Sequence, residues 1–243
     1  MKRYLFIFTL FFIPFSFLFS LTRIEQLKSE SYVTDEARII SPQHKIKLEK
    51  LLFFLEQKTS DQVAVVTIPT LEGRDIETES VKLFKRWGIG QKGKNNGVLF
   101  LIVPGERKMR IEVGYGLEAV INDGKAGQIL DQIVLPQFRT GNLSEGVVQG
   151  AVTIAQLLAQ SSGVQLEGLS SRDLQKVRPL TFIEKIFFFI IFIIALIVFI
   201  RHPWLLFFLI SRGGGSGNGG FGGGGFGGFG GGSSGGGGSS RGW

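Results

Sequence analysis

The chain has 243 residues, a formal net charge of +7 and no cysteine. Without cysteine, a disulfide framework, a thiol nucleophile and a thiolate metal site are excluded. Residues 22–160 contain 18 basic and 17 acidic side chains, so the excess of positive charge lies in the flanking segments. This distribution is typical of charge that flanks a membrane segment, and it argues against a nucleic-acid-binding surface.

The N-terminal segment, residues 1–21, resembles an export signal. Lys2 and Arg3 precede an apolar run at positions 4–19, which is the pattern of a secretory signal peptide. Leu18 is a poor residue for the −3 position of cleavage after Ser20, so an uncleaved N-terminal anchor is the alternative. In both cases we expect the following domain to lie outside the cytoplasm.

Two amphipathic helices and a strand are predicted next. Ser41 and Pro42 are typical of a helix start, and leucines at 48, 51, 52 and 55 give that helix an apolar stripe. Residues 62–68, QVAVVTI, are largely apolar and are typical of a buried strand. The face of the second helix is formed by Ile76, Ser80, Leu83, Phe84 and Trp87. The glycines at 88 and 90 end this helix.

A β-hairpin is predicted at the centre of the domain. Residues 98–103 are uniformly apolar, and residues 104–107 contain the Pro-Gly pair of a turn. The next strand alternates apolar residues with Arg110 and Glu112, which is the pattern of a half-buried strand. Glycine-containing polar loops flank the hairpin, and loops held by rigid strands are where a functional site is expected.

Two further helices complete the domain. Asn122 or Asp123 caps the third, which ends before Pro136, and Asn142 or Ser144 caps the fourth. Helices that alternate with strongly apolar strands predict a three-layer α/β/α sandwich around a small mixed sheet. We expect this domain to occupy residues 22–160.

The C-terminal third has a different composition. Residues 161–180 are predicted to be a linker, and residues 181–210 a transmembrane segment built on the 15 consecutive apolar residues at 186–200. With a single span, Arg201 and Arg212 favour a cytoplasmic tail. Residues 211–243 are rich in glycine and are predicted to be disordered.

The motifs of the domain are similar to those of the TPM domain family. They are V-x-D-x-A at 33–37, WGIG at 87–90, NNGVL at 95–99, RIEVGYGLE at 110–118, Asn122-Asp123, Pro136, Phe138-Arg139 and Gly146. The similarity covers residues 32–158. It implies calcium binding through acidic loops, as in some members, and either acid phosphatase activity, as attributed to plant thylakoid members, or a role as an auxiliary subunit of membrane complexes.

Four acidic residues are the candidate metal ligands: Asp35, Glu112, Glu118 and Asp123. Hard cations bind six to eight oxygens from carboxylates, amides and backbone, which glycine-bounded loops can supply. We expect Ca²⁺ ahead of Mg²⁺. The structural alternatives are that Asp35 and Asp123 cap a turn and a helix, and that Glu112 pairs with Arg110.

The sequence does not support a dinucleotide-binding loop or a Ser-His-Asp catalytic site. Residues 88–93 match G-x-G-x-x-G, but they follow a helix and precede a strand, which is the reverse of a dinucleotide site. His44 is the single histidine of residues 22–160, and no motif marks a serine partner for it. We therefore expect no nucleotide.

The predicted function is that of a membrane-tethered, extracytoplasmic accessory module that assists the assembly or maintenance of membrane proteins. Its expected partners are the bilayer of the inner (cytoplasmic) membrane and other membrane proteins. The alternative is a metal-dependent acid phosphatase, in which a cation in the acidic loops polarises phosphate and activates water.

Overall fold

A computed structural model describes residues 24–29, 31–166 and 226–243. Its centre is a five-stranded mixed sheet with the strands in the order β1-β2-β3-β4-β5. The strands are β1 (Val33–Asp35), β2 (Gln62–Thr67), β3 (Gly97–Val103), β4 (Lys108–Gly114) and β5 (Ser234–Gly242). The first three strands are parallel to one another, whereas β3–β4 and β4–β5 are antiparallel.

Helices cover both faces of the sheet, as the α/β/α prediction requires. They are α1 (Pro42–Thr59), α2 (Ile76–Trp87), α3 (Asp123–Ile129), α4 (Leu135–Arg139) and α5 (Leu143–Ser161), and a π-helical turn (Leu130–Val134) joins α3 to α4. One apolar core lies between the sheet and α1, α3 and α5. A second core lies between the opposite face and α2. The mixed α/β fold is confirmed.

Three of the predicted helix ends coincide with real caps. The Ser41 side chain accepts the His44 N–H at the start of α1, and Asn122 accepts the Lys125 N–H at the start of α3. Gly88 ends α2 in the left-handed conformation, with φ of +65°. Only a residue without Cβ adopts that backbone easily, so Gly88 ends the helix as the sequence predicts. In contrast, Asn142 makes no side-chain cap hydrogen bond at the start of α5, and α4 contains Pro136, before which the third helix was predicted to end.

The strand β4 is more buried than its alternating pattern predicts. Met109, Ile111 and Val113 face the larger core, as expected. Arg110 and Glu112 point the other way and are also buried, at 5% and 0% exposure. They are buried because α2 packs over that face and because β5 pairs with the free edge of β4.

The prediction for the C-terminal segment has to be corrected. The sequence predicts disorder throughout 211–243, but residues 226–243 are ordered, and nine of them form β5. The prediction is wrong there because a glycine-rich strand needs no apolar face of its own when the domain supplies hydrogen-bond partners for it, here on β4. Seven residue pairs, from Lys108–Gly242 to Gly114–Ser234, set the register of β4 with β5.

The predicted signal segment, the transmembrane segment at 181–210 and most of the linker lie outside the described residues. Within the residues that are described, no helix is both long enough and apolar enough to cross a bilayer.

Candidate functional site

The buried pair of Arg110 and Glu112 joins the domain to β5. Oε2 of Glu112 accepts from Nε and Nη2 of Arg110 at 2.9 and 2.6 Å. Oε1 accepts from the Ser234 hydroxyl at 2.7 Å and from the Gly236 N–H at 3.1 Å. The guanidinium donates to the Gly236 carbonyl and to Oγ of Ser240, at 2.9 and 3.0 Å. The pair therefore directs most of its hydrogen bonds to the C-terminal strand.

The surface that holds this strand excludes side chains at several positions. A Cβ on Gly238 would overlap the Ile111 carbonyl, and the φ of Gly238 is +130°. A Cβ on Gly235 would overlap the hydroxyl of Tyr115. On Gly237 it would lie 2.8 Å from Oε1 of Glu118. Because these neighbours include backbone, the surface accepts glycine where other residues would be strained. We call this surface, formed by β4 and its flanking loops, the edge groove.

The segment before β5 lies on the loops at one end of the groove. The amides of Gly231 and Gly232 donate to the carbonyls of Gly88 and Gly90, at 2.7 and 2.6 Å. The Ser233 N–H donates to Oδ1 of Asn95 at 3.0 Å. The strand is thus bound through its backbone on both sides of Ser234.

Aromatic side chains fix the two ends of the C-terminal segment. Phe226 contacts Tyr32 edge-on with ring centroids 4.8 Å apart, and Phe229 stacks on Trp87 at 6.2 Å. At the other end, Trp243 packs edge-on against Phe138 at 4.5 Å. Such pairs add about 0.5–1.5 kcal/mol each beyond the area that they bury. They can hold the ends of a strand that otherwise consists largely of glycine and serine.

An ion pair accompanies Trp243. Nε of Arg241 lies 2.7 Å from Oδ1 of Asp131, in the turn after α3, and Nη2 lies 2.9 Å from Oδ2. These hydrogen bonds lower the pKa of Asp131 and raise that of Arg241. Because the contact is largely exposed, it helps to set the register of β5 more than it adds to the stability of the fold.

The four predicted metal ligands do not meet at one place. Asp35 ends β1, which is an edge strand of the sheet. Three strand spacings, roughly 14 Å, separate β1 from β4, which carries Glu112. The oxygens of Asp35 accept the amides of Ile39 and Ile40, at 3.1 and 3.0 Å, and the Thr67 hydroxyl. Glu112 pairs with Arg110, which was the structural alternative.

The other two predicted ligands lie beside the tail. Asp123 accepts the Gly238 N–H at 2.7 Å, and Glu118 lies close to Gly237. Among residues 24–29, 31–166 and 226–243, no group of three or more His, Cys, Asp or Glu could hold a metal ion. The geometry therefore does not fit one common cation site formed by all four carboxylates. Cation binding itself stays a prediction, which calcium calorimetry on the full chain would test.

His44 has a partner that the sequence did not reveal. Its Nδ1 lies 2.7 Å from Oγ of Ser144, which also accepts the Ser41 N–H at 3.0 Å. Nε2 lies 3.9 Å from a carboxylate oxygen of Glu145. Burial lowers the pKa of His44, although Glu145 opposes the shift. These contacts join the first turns of α1 and α5.

The residues that form the edge groove are largely those by which the sequence resembles a known family. Gly88, Gly90, Asn95, Arg110, Glu112, Tyr115, Glu118, Asp123 and Phe138 all contact or closely approach the C-terminal segment. The sequence pattern indicates a site in these loops but does not indicate its occupant. The feature of the sequence that could have indicated this occupant is SSRGW at positions 239–243, because it departs from the plain glycine repeats before it.

Several solved structures are similar to this chain. The N-terminal domain of a protein from P. gingivalis is 30% identical, with a TM-score of 0.55, and the match covers 61% of this chain and 99% of that one. The BA42 protein from the psychrophilic bacterium Bizionia argentinensis is 20% identical, with a TM-score of 0.44 and coverage of 50% and 82%. The N-terminal domain of the cg2496 protein from Corynebacterium glutamicum is 16% identical, with a TM-score of 0.42 and coverage of 59% and 88%.

No curated protein matches this chain. The sequence profile of the TPM domain matches residues 33–157, just over half of the chain, and ends within the last two turns of α5. The matched region contains β1 to β4 and leaves out β5. The chain belongs to the TPM domain family.

Proposed function

We propose that this TPM domain protein is a membrane-tethered, extracytoplasmic interaction module that works by binding an extended glycine-rich strand in its edge groove. The observation behind the proposal is the buried Arg110–Glu112 pair. The Ser80 hydroxyl donates to Oε2 of Glu112 at 3.3 Å, and the other outward hydrogen bonds of the pair are all to Ser234, Gly236 and Ser240. Adding a strand to an exposed sheet edge is a general mode of peptide recognition, in which backbone hydrogen bonds supply affinity.

The groove is poorly suited to remain empty. Without the strand, Oε1 of Glu112 and part of the Arg110 guanidinium lose the partners that they have on β5. They would then need water or another strand, because a polar group that stays buried without a partner costs about 1–3 kcal/mol, and more when it is charged. The free edge of β4 would also expose unpaired backbone groups, which favour association with another strand. Both effects favour an occupied groove.

The apolar segments at 4–19 and 181–210 support membrane tethering, and the export-like N-terminus supports an extracytoplasmic domain. The pairing of β4 with β5 adds a constraint, because paired strands must share one side of a membrane. We therefore propose that residues 226–243 lie on the same side as the domain. This proposal differs from the expectation from the sequence, in which a single membrane span places the tail in the cytoplasm.

Accessory roles in membrane-protein assembly fit such a module, since a strand receptor needs no catalytic groups. The alternative, a metal-dependent acid phosphatase, requires carboxylates that converge on a cation. The contacts of Asp35 and Glu112 among the described residues do not favour that alternative.

The experiment measures binding of a labelled peptide of residues 230–243 to the full chain by fluorescence anisotropy. The chain's own strand is first weakened with Gly238→Val, because a Cβ there overlaps the Ile111 carbonyl. Gly227→Ala is the matched control, since a Cβ at 227 meets nothing within 4 Å. We expect the Gly238→Val chain to bind the peptide at least about tenfold more tightly than the wild type or the control, whose own tails compete.

A peptide that itself contains Gly238→Val tests specificity, and it should bind none of the three chains. Circular dichroism of the full chains is the control for folding of the Gly238→Val variant. If a folded Gly238→Val chain binds the wild-type peptide no better than the mutant peptide, the edge groove is not a strand receptor and the proposed function is wrong.

A further inference from the structure

We propose that the C-terminal strand is exchanged between copies of this chain, so that residues 230–243 of one copy occupy the edge groove of the next. This inference rests on the proposed function and names the partner of the same site. The occupant is a second copy's C-terminal segment, which is the sequence that satisfies the glycine positions, the Ser234 hydroxyl and the Trp243 contact together.

The location of the strand's partners favours exchange. At one end of residues 230–243, the Gly230 N–H donates to Oε1 of Gln62 at 3.1 Å, and at the other the Trp243 N–H donates to the Arg107 carbonyl at 3.1 Å. The described partners of this segment lie on the domain, between Gln62 and Phe138, so another copy presents the same complete set.

The length of the connection also favours exchange. Residues 167–225 separate the domain from the C-terminal segment, and 59 residues can reach at most about 200 Å. The entropic cost of closing such a loop grows only slowly with length, so a long connection gives the chain's own strand a limited advantage. Effective concentrations within one chain are in the millimolar range or below, which neighbours held on one membrane can approach.

Exchange of this kind produces head-to-tail contacts. Each copy offers one groove and one strand, and these are different surfaces, so the contact is heterologous and joins copies into rings or open chains. No symmetric dimer surface is required. The domain therefore becomes a unit that links membrane-tethered copies through their C-terminal segments.

The test uses disulfide formation between two full chains that each contain a single cysteine, which is possible because the natural sequence has none. Lys108 faces Gly242 in the register, and a Cβ on Gly242 meets only the Arg107 carbonyl at 3.4 Å. Directly opposed residues on antiparallel strands have Cα separations compatible with a disulfide. One chain carries Lys108→Cys together with Gly238→Val, and the other carries Gly242→Cys.

The two chains are co-reconstituted in vesicles, oxidised, and analysed without reductant for mixed dimers. The control acceptor carries Phe54→Cys with Gly238→Val, because Phe54 is exposed on α1, away from the groove. We expect at least about fivefold more mixed dimer with Lys108→Cys than with Phe54→Cys. Lys108→Cys without Gly238→Val should give an intermediate yield, and it serves as the acceptor if Gly238→Val impairs folding.

Equal yields from the Lys108→Cys acceptors and the Phe54→Cys control would overturn the exchange proposal. If the peptide of residues 230–243 still binds the Gly238→Val chain in that case, the strand docks only within its own chain and the proposed function stands. If neither peptide binding nor mixed dimers are seen, the proposed function fails as well.

Discussion

At the scale of single residues, Glu112 connects the central hairpin to the C-terminal strand. One of its oxygens binds Arg110 and the other binds β5. A carboxylate with 0% exposure is stable only when it is fully paired, and here the pairing comes from two distant parts of the chain. Its contacts are those of the ion pair with Arg110, which was the alternative to a metal-ligand role, together with hydrogen bonds to β5.

Glu112→Gln tests these contacts. The substitution leaves the Arg110 charge buried without its partner, and breaking a buried ion pair in this way typically costs about 3–5 kcal/mol. We expect the free energy of unfolding of the full chain in urea to fall by about that amount. Glu118→Gln, at an exposed carboxylate on the same side of the domain, should change it by less than about 0.5 kcal/mol.

The double variant Arg110→Met/Glu112→Leu separates the stability of the domain from the binding of the strand. Apolar replacement of a buried ion pair is often neutral or stabilising, so the domain should recover most of the stability that Glu112→Gln loses. Binding of the peptide 230–243 should not recover, because the acceptor for Ser234 and Gly236 is gone. Recovery of both properties would contradict the role assigned to Glu112.

At the scale of secondary-structure elements, the sequence predicts well what is encoded locally. Ser41 and Asn122 mark helix starts through side-chain caps, and Gly88 marks a helix end through its backbone conformation. The strands β2 and β3 are recognisable as short, largely apolar runs. The strand β5 is not recognisable in this way. Its sequence, SGGGGSSRG, is mostly glycine and serine, so its conformation depends on Arg110, Glu112 and the edge of β4, which no local pattern reports.

Deletion of residues 231–243 should affect the sheet unevenly. Amides of β4 that face β5 should lose protection from hydrogen exchange, whereas β2, which is paired on both sides by β1 and β3, should retain it. The free edge should also increase association of the truncated chain. Unchanged protection in β4 would mean that β5 does not pair there in solution.

The junction of α1 and α5 should respond to pH through His44. Burial holds the pKa of His44 in the folded chain below its ordinary value of 6.5. The unfolded chain therefore binds more protons between the two values, and stability rises with pH until His44 is neutral in both states. We expect the free energy of unfolding to increase from about pH 5 to about pH 7, around the ordinary histidine pKa.

His44→Gln should flatten this part of the pH profile, because glutamine does not titrate. The other histidine of the chain, His202, lies outside the described residues and provides the matched control as His202→Gln. A profile that keeps its slope in His44→Gln and loses it in His202→Gln would contradict the assignment to the α1–α5 junction.

At the scale of the whole molecule, the pairing of β5 with β4 constrains the proposed membrane tethering. The sequence predicts a domain, a transmembrane segment at 181–210 built on the 15 consecutive apolar residues at 186–200, and a tail. One crossing of the bilayer by that segment would separate the tail from the domain. The pairing of β4 with β5 is incompatible with such a separation, both within one chain and between copies in the same orientation.

The pairing of β5 with β4 could not be predicted from the sequence, because hydropathy and flanking charge report only on the segment that contains them. Arg201 and Arg212 favour a cytoplasmic tail, whereas the hydrogen bonds of Gly231, Ser233 and Ser234 bind that tail to the domain. Long-range pairing outweighs the local charge rule if the tail strand forms in the membrane-bound protein.

The most direct measurement is therefore disulfide formation in the full chain with Lys108→Cys and Gly242→Cys, expressed in bacteria with intact membranes and an oxidising extracytoplasmic compartment. We expect a disulfide between positions 108 and 242 in most molecules, either within one chain or between copies. A result in which the thiol at position 242 stays reduced, and an impermeant thiol reagent added outside reaches position 108 but never position 242, would contradict it.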